Sequence, residues 1–247
     1  MNNEQNKNAL MLQQAIELMP DNVRDQFVSN ALKLMREASS PFRKLMAYYT
    51  CAMMEVETKL NVLNEEFSLQ YDRNPISSIK TRLKSFGSII EKLQRKGISL
   101  SDPDAMEAKL NDISGVRVVC SFPEDVYMLA DALLKQDDIR LLARKDYIQH
   151  PKPNGYRSLH LIVEVPIFLA QEKRMMKVEV QLRTIAMDFW ASLEHDIHYK
   201  ADRAKLPAGI DEEMFACAEK IAEIDRQMQD MYRRIADAEA NGDAVKK

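Results

Sequence analysis

SLHLIVEVPIFLAQEKRMMKVEVQLRT, residues 158–184, is the stretch of sequence that decides the fold. Its two ends, SLHLIVEVP and MMKVEVQLRT, are rich in β-branched and other aliphatic residues, which favour strands. Between them stands the short charged segment AQEKR, which is typical of a turn. The stretch therefore predicts two neighbouring antiparallel strands, around which the rest of a sheet has to be built.

Helical and strand patterns alternate on the N-terminal side of this pair. Apolar residues recur at steps of three and four from Phe42 to Phe67, as one face of a long helix requires. Further helices are predicted at about 85–97, 103–110, 123–136 and 184–199, further strands at 112–120 and 138–147, and a polar connection at 72–81. This order predicts an α+β protein with a mixed β-sheet flanked by helices.

Additional helices are predicted at both ends of the chain. Residues 4–37 have the pattern of two amphipathic helices, and the apolar positions from Met214 to Ile235 again follow a three-four spacing. The predicted organisation is an N-terminal helical extension at 1–40, a central domain at 41–200 and a C-terminal helical segment at 201–247. The long apolar stripes either pack on the core or form a subunit interface, because methionine-rich surfaces suit both roles.

The composition narrows the possible partners. The chain has 247 residues, 30% of them charged, and a formal net charge of −3. It lacks the basic excess of a dedicated duplex-DNA-binding protein, so a site for a polyanion has to be local. Its three cysteines form no Cys-x-x-Cys pair, which argues against a zinc site. Neither a signal-peptide pattern nor an apolar run near the ~20 residues of a membrane span occurs, so a soluble cytoplasmic protein is expected.

The strand predicted at 175–184 carries polar side chains on one face. Lys177, Glu179, Gln181 and Arg183 alternate there with apolar residues. Taken alone, this alternation is typical of a solvated sheet face.

The strand predicted at 112–120, DISGVRVVC, places two charged residues in an otherwise apolar segment. A bulge at Gly115 is predicted to bring Asp112 and Arg117 onto one face. An arginine in this setting requires a carboxylate, a phosphate or an aromatic partner. Asp112 and Glu179 together offer the oxygen ligands that Mg²⁺ prefers, whereas a structural ion pair is the alternative explanation.

Positive charge concentrates in residues 73–96, where seven basic residues accompany one acidic residue. Lys84, Ser88 and Lys92 are spaced by four and so share one helical face. Ser85 is a predicted N-cap, and a helix N-terminus beside lysines is suited to bind phosphate. A solvated basic helix face is the alternative.

The segment HPKPNGYRSLH, residues 150–160, carries more than a turn requires. Its two prolines stiffen the backbone, and Asn154-Gly155 suits a tight hairpin turn. Tyr156 offers a flat ring on which a base would stack. The cationic side chains that would meet phosphates are Lys152, Arg157 and His160. The alternative is a decorated hairpin in which Tyr156 caps the core.

Taken together, these segments resemble the synthetase domain of the RelA/SpoT homologue family, and more closely its stand-alone small alarmone synthetases. The similarity spans about residues 42–200. It rests on four motifs in the family's order: TRLKSFGSIIEK, DISGVRVVC, NGYRSLH and EVQLRTIAMDFWASLEH. The resemblance implies a nucleotidyltransferase-like fold. The family's hydrolase domain has no counterpart in the sequence, so synthesis without degradation is expected.

The resemblance also implies a reaction. The family transfers the β,γ-pyrophosphate of ATP to the ribose 3′-hydroxyl of GDP or GTP, which yields ppGpp or pppGpp and AMP for stringent-response signalling. The implied enzyme is a GTP diphosphokinase that uses Mg²⁺. On the donor side, Arg82 and Arg117 would sandwich the adenine. The donor phosphates would be held by Lys84, Ser88 and Lys92.

Further roles follow from the same motifs. Asp112 would bind Mg²⁺, and Glu179 would share that metal or act as general base, with Gln181 positioning the 3′-hydroxyl. Tyr156 would stack on the guanine. The acceptor side would be lined by Lys152, Asn154, Arg157 and His160. A glutamate at its ordinary pKa of about 4.3 is a weak base for a ribose hydroxyl, so a nearby Mg²⁺ or a raised pKa is expected to assist.

Some family members form homotetramers that pppGpp activates, and the terminal helices here agree with such an assembly. Those members carry a phenylalanine-x-threonine-glycine-arginine pattern where this chain reads Ser78-Ile79-Lys80-Thr81-Arg82. A homotetramer without pppGpp activation is therefore predicted. Two other interpretations stay open, namely a catalytically inactive module that binds single-stranded RNA and a helical assembly module. Single-stranded RNA is also a candidate regulator.

Overall fold

A computed structural model describes residues 40–70, 73–99, 102–200 and 209–244. These residues form six helices and five strands. The helices are α1 (Ser40–Gln70), α2 (Phe86–Lys96), α3 (Pro103–Lys109), α4 (Pro123–Leu134), α5 (Ile185–Lys200) and α6 (Ile210–Ala244). The strands are β1 (Ile76–Leu83), β2 (Ser114–Cys120), β3 (Arg140–Asp146), β4 (Leu159–Phe168) and β5 (Lys173–Thr184). The two helices predicted within 4–37 lie outside the described residues.

The sheet is mixed and has the strand order β1-β2-β5-β4-β3. β2 and β5 run parallel, and the other neighbouring pairs are antiparallel. The antiparallel pairing of β4 with β5 confirms the prediction made from residues 158–184. Val178, Val180 and Leu182 are fully buried, so the apolar face of β5 lies in the core as its alternation predicts. Helices α4 and α5 pack on β2 and β5, and α6 packs on α4 and α5.

Helix α2 begins and ends where its sequence predicts. The Ser85 hydroxyl accepts a hydrogen bond from the Ser88 backbone N–H at 3.4 Å, which makes Ser85 the N-cap. Gly97 follows the last helical residue with a φ of 63°, a left-handed conformation that favours glycine and ends the helix. Ile89 and Leu93 are buried, so the opposite face of α2 is left for the basic residues.

The polar connection predicted at 72–81 is wrong, because most of that segment belongs to strand β1. β1 is an edge strand that pairs only with β2. Only one of its eight residues, Ile76, is buried, so the strand carries little of the apolar alternation by which strands are recognised.

The bulge predicted at Gly115 is also wrong. Gly115 lies opposite Arg82 on β1 and opposite Glu179 on β5, in continuous register on both sides. Asp112 instead precedes β2, which begins at Ser114. A loop position, and not a bulge, lets Asp112 and Arg117 face the same space.

The chain divides into two compact units, Met1–Ala47 and Tyr48–Lys247. Of the first unit the structure describes only residues 40–47, which belong to α1. The residues of the candidate site belong to the second unit. Among the described helices, none combines the length and the apolar character needed to cross a membrane.

Candidate active site

One face of the sheet forms the floor of a cavity of about 440 Å³. Arg82, Gly115 and Glu179 lie side by side across β1, β2 and β5. Because Gly115 has no side chain, the floor stays open between a cation on one strand and a carboxylate on another. The residues that line the cavity are Lys80, Thr81, Arg82, Lys84, Asp112, Gly115, Val116, Arg117, Glu179 and Gln181. The cavity thus brings together both predicted carboxylates and three of the predicted donor-side cations.

Two lysines flank Asp112 at one end of this cavity. Lys84 Nζ lies 3.1 Å from Asp112 Oδ2, and Lys92 Nζ lies 2.6 Å from Oδ1. Burial alone would raise the pKa of Asp112, but the contacts with Lys92 and Lys84 outweigh it and lower the pKa below its ordinary value. The Ser88 hydroxyl accepts a hydrogen bond from the Ser85 hydroxyl at 2.9 Å, and Ser88 is not among the residues that line the cavity. Ionised Asp112 therefore holds two cations at the start of α2, where phosphates bind favourably.

Two hydrogen-bond donors hold Glu179. His160 Nδ1 lies 3.1 Å from Oε1, and the Gln181 amide donates to Oε2 at 3.0 Å. Burial acts to raise the pKa of Glu179, but the contacts with His160 and Gln181 prevail and lower it. The raised pKa expected as one form of assistance is therefore wrong: Glu179 is ionised at neutral pH, and its carboxylate is fixed in direction.

Tyr156 contacts His160, which in turn holds Glu179, and two cations lie near its ring. Its hydroxyl is 2.8 Å from His160 Nε2 and accepts a hydrogen bond from Arg183 Nη2 at 2.6 Å. Lys152 Nζ and Arg183 Cζ lie 4.5 Å and 5.0 Å from the centre of its ring. Burial is the largest cause that lowers the pKa of Lys152. The negative charge of Glu179 acts to raise this pKa, but nearby cations lower it further. Tyr156 also packs against the small buried cluster around Trp190, as the alternative of a core-capping ring predicts. A nucleotide base that stacks on Tyr156 would compete with these neighbours for the ring.

The loop between β3 and β4 is longer than the predicted tight hairpin, since it spans residues 147–158. Within it, Gly155 donates to the Lys152 carbonyl at 2.8 Å, which closes a local turn. Gly155 has a φ of 88°, and an added Cβ would lie 2.5 Å from the Ala218 Cβ on α6. Glycine is therefore required both by the turn and by the close approach of the loop to α6.

Two predicted acceptor-side residues anchor this loop to helices. The Asn154 amide donates to Glu194 of α5 at 3.2 Å, and Arg157 donates to Glu219 of α6 at 2.7 Å. The structure therefore brings Lys152, Tyr156 and His160 toward Glu179 but holds Asn154 and Arg157 against the helices. Contact of the latter two with a nucleotide stays a prediction.

Sequence reasoning missed two charged residues of the site. Arg183 shares the polar face of β5 with Glu179 and Gln181, so the alternation of polar and apolar residues along this strand could have indicated that it belongs to the site. Asp188 lies in the first turn of α5 and accepts hydrogen bonds from Arg183 and Arg117. No local sequence pattern predicts a role for Asp188, because its position in the site depends on how α5 packs back onto the sheet.

A two-carboxylate site for Mg²⁺ is compatible with these surroundings. Asp112 and Glu179 line one cavity, and the negative charge of Asp112 acts to raise the pKa of Glu179. Within the described ranges, no group of three or more His, Cys, Asp or Glu residues could hold a metal ion. Mg²⁺ does not require one, because it commonly binds one or two carboxylates and takes its other ligands from water and phosphate.

Comparisons with known proteins agree on one family. The model described as "Region found in RelA / SpoT proteins" matches residues 81–204. GTP pyrophosphokinase YwaC of Bacillus subtilis (strain 168) is 40% identical over 201 residues, which are 81% of this chain and 95% of that protein. The crystal structure of small alarmone synthetase 2 from Bacillus subtilis covers 78% of this chain and 98% of its own, with a TM-score of 0.71 and 41% identity.

A third match contains a bound nucleotide. The crystal structure of small alarmone synthetase 1 from Bacillus subtilis, bound to its product pppGpp, has a TM-score of 0.71 and 29% identity. It covers 80% of this chain and 100% of its own. These structural matches confirm the α+β fold class and its synthetase type.

Proposed function

Because the chain belongs to the RelA/SpoT family, among its stand-alone small alarmone synthetases, we propose that it transfers the β,γ-pyrophosphate of ATP to the 3′-hydroxyl of GDP or GTP. The products are AMP and ppGpp or pppGpp. One observation carries this proposal: a single cavity is lined by Asp112, which two lysines flank, and by an oriented, ionised Glu179. Phosphoryl-type transfer needs both parts, namely cations for the donor phosphates and an acceptor for the hydroxyl proton.

The donor nucleotide would enter beside β1 and β2. Arg82 and Arg117 project from neighbouring strands into the cavity, and adenine would lie between their guanidinium groups. Burial is the largest cause that lowers the pKa of Arg117, and the nearby positive charge of Arg183 lowers it further. A desolvated guanidinium gains from stacking on a flat base, which supports this placement. Lys84 and Lys92 would exchange Asp112 for the donor phosphates, with Ser88 beside them.

The acceptor would approach Glu179 from the opposite side. Tyr156 would stack on the guanine, and Lys152 would move from the tyrosine ring toward a phosphate. Glu179, held by His160 and Gln181, would take the proton of the 3′-hydroxyl as the new bond forms. Alignment of the two nucleotides in one cavity would supply much of the rate gain in such a reaction.

Mg²⁺ is part of the proposal, with Asp112 and Glu179 as its protein ligands. Their oxygens fit the preference of this ion, and the electrostatic cost of two carboxylates in one cavity falls when a cation joins them. When bound, Mg²⁺ would neutralise phosphate charge and make the ribose hydroxyl more acidic.

Incubation of the protein with ATP, Mg²⁺ and GDP is expected to yield AMP and ppGpp in equal amounts. The reason is that each transfer of pyrophosphate releases one AMP. Anion-exchange separation of the nucleotides measures both products, and ATP labelled at its γ-phosphate places the label on ppGpp. Absence of AMP and of a tetraphosphate product would contradict the proposed function. The alternative of an inactive RNA-binding module is not supported, because a relative matched over most of the chain is a named GTP pyrophosphokinase.

We further propose a cytoplasmic homotetramer. The location follows from the substrates, which are cytoplasmic nucleotides. The assembly is supported by an exposed apolar stripe at helical spacing along α6. Its members are Ile224, Met228, Met231 and Ile235. Regulation by single-stranded RNA and the absence of pppGpp activation remain predictions.

Light scattering is expected to give the mass of four chains of 28.5 kDa each. Met228→Glu should reduce that mass, because it places a charge in the middle of the exposed stripe on α6. Glu223→Lys, on the same helix but outside the stripe, is the matched control and should leave the mass unchanged. A monomeric wild type, or a tetramer insensitive to Met228→Glu, would contradict the proposed assembly.

A further inference from the structure

A chain of hydrogen bonds joins the donor side of the cavity to the acceptor side. Asp188 lies at the donor end of this chain, where it contacts Arg117. Asp188 lies in the first turn of α5, directly after β5, where a helix stabilises negative charge. Its Oδ1 atom accepts a hydrogen bond from Arg183 Nη1 at 3.1 Å and one from Arg117 Nη1 at 3.5 Å. One carboxylate oxygen therefore serves two guanidinium groups on different strands.

Arg183 continues the chain toward the acceptor side. Its Nη2 atom donates to the Tyr156 hydroxyl at 2.6 Å and to Gln181 Oε1 at 3.3 Å. The Tyr156 hydroxyl in turn lies 2.8 Å from His160 Nε2, and the other ring nitrogen of His160 contacts the base Glu179. The Arg183 side chain is only 6% exposed, so water does not readily replace these partners.

The charge of Asp188 keeps two like charges together. Burial lowers the pKa of Arg117, the positive charge of Arg183 lowers it further, and Asp188 acts in the opposite direction. Without the Asp188 charge, two partly desolvated guanidinium groups would repel each other. Arg117 would move most, since its side chain is 34% exposed, and Arg183 would lose one of the contacts that aim it at Tyr156.

We propose that Asp188 is a positioning residue for both nucleotides, holding Arg117 against the donor base and, through Arg183, fixing Tyr156 for the acceptor base. The inference rests on the proposed pyrophosphate transfer and deepens it. It assigns an effect on both binding sites to one side chain, which is not itself among the residues that line the cavity. Arg117 and Tyr156 each act on one site, so a change at Asp188 has a distinct signature.

Asp188→Asn is expected to raise the Michaelis constants for ATP and for GDP, each by about tenfold, as expected for loss of a charge-assisted contact. The substitution keeps the shape of the side chain and one acceptor oxygen but removes the charge. Steady-state rates with each nucleotide varied in turn measure both constants. Asp137→Asn, at an exposed position that does not line the cavity, is the control and should behave as wild type. A wild-type constant for either nucleotide in Asp188→Asn would overturn the proposal.

A second pair of variants separates positioning from a general structural role. Tyr156→Phe keeps the ring but removes the hydroxyl that Arg183 contacts, so it should raise the constant for GDP and leave that for ATP unchanged. In the Tyr156→Phe background, Asp188→Asn should still raise the constant for ATP but add little to that for GDP. An equal further rise for GDP in both backgrounds would overturn the route through Tyr156.

Folding and the proposed function are checked independently. Circular dichroism shows whether Asp188→Asn is folded. If it does not fold, the Michaelis constants of Tyr156→Phe decide whether Arg183 acts through the tyrosine hydroxyl: the constant for GDP should rise while that for ATP stays unchanged. Failure of the proposed function is a different observation, namely a wild type that forms no AMP. In that event calorimetry of ATP and of GDP on the wild type and on Asp188→Asn tests the same contacts. Unchanged affinities would then overturn the inference.

Discussion

Glu179→Gln is expected to lower the kcat for AMP formation by about 10²- to 10⁴-fold, the contribution typical of general base catalysis. Glutamine keeps the size of the side chain but does not accept the hydroxyl proton. The wild-type carboxylate is well placed for this task, because His160 and Gln181 each hold one of its two oxygens. Binding of ATP without Mg²⁺ should persist, since the donor phosphates would meet Lys84 and Lys92 instead.

Single-turnover formation of AMP at saturating ATP and GDP measures the loss, and calorimetry with ATP measures the binding that remains. Glu91→Gln makes the same chemical change at an exposed position of α2 and should retain wild-type turnover. A wild-type kcat in Glu179→Gln would contradict the assignment of Glu179 as the general base. An equal loss of ATP affinity and of turnover would instead assign Glu179 to donor binding.

The environment of Glu179 also decides which group needs assistance in the reaction. Burial raises the pKa of this carboxylate, but the contacts with His160 and Gln181 lower it by more. A depressed pKa means that Glu179 stays ionised as the pH falls to the ordinary range of glutamate, and it also means that Glu179 is a weak base. If Glu179 is the base, as we propose, the assistance has to act on the ribose hydroxyl, by making it more acidic, and not on the glutamate.

The parts of the fold that follow from local pattern were predictable from sequence. Residues 158–184 gave the β4–β5 pair because its two strands are consecutive and their turn is short. Ser85 and Gly97 marked the ends of α2 because capping depends on residues within one turn. Glu179 and Gln181 were placed on one face because the alternation of a strand does not depend on its neighbours.

What escaped prediction depends on contacts between distant segments. β1 was missed because an edge strand beside a polar cavity buries few of its side chains. The loop at 147–158 docks on α6 through Gly155 and Ala218, which are far apart in sequence. Asp188 has an ordinary position in a helix, and only the return of α5 to the sheet brings it to Arg117 and Arg183.

Asp112→Asn is expected to raise the Mg²⁺ concentration needed for half-maximal turnover by about 100-fold or more, since even weaker changes around metal ligands cost 10- to 100-fold in affinity. Two explanations of Asp112 make different predictions for this Mg²⁺ requirement. As a metal ligand, it loses one of the two carboxylate contacts that hold Mg²⁺ in the cavity. As a structural partner of Lys84 and Lys92, it would release both lysines to bind phosphate more tightly, with the Mg²⁺ requirement unchanged.

Initial rates over a range of Mg²⁺ at saturating ATP and GDP separate the two explanations, and ATP affinity without Mg²⁺ gives a second measurement. That affinity should increase in Asp112→Asn under either explanation, because two cations lose their carboxylate. Asp137→Asn removes an exposed carboxylate elsewhere and should change neither quantity. Tighter Mg²⁺-free binding of ATP together with a wild-type Mg²⁺ requirement would make Asp112 an ion-pair partner and leave Glu179 as the only carboxylate proposed for the metal.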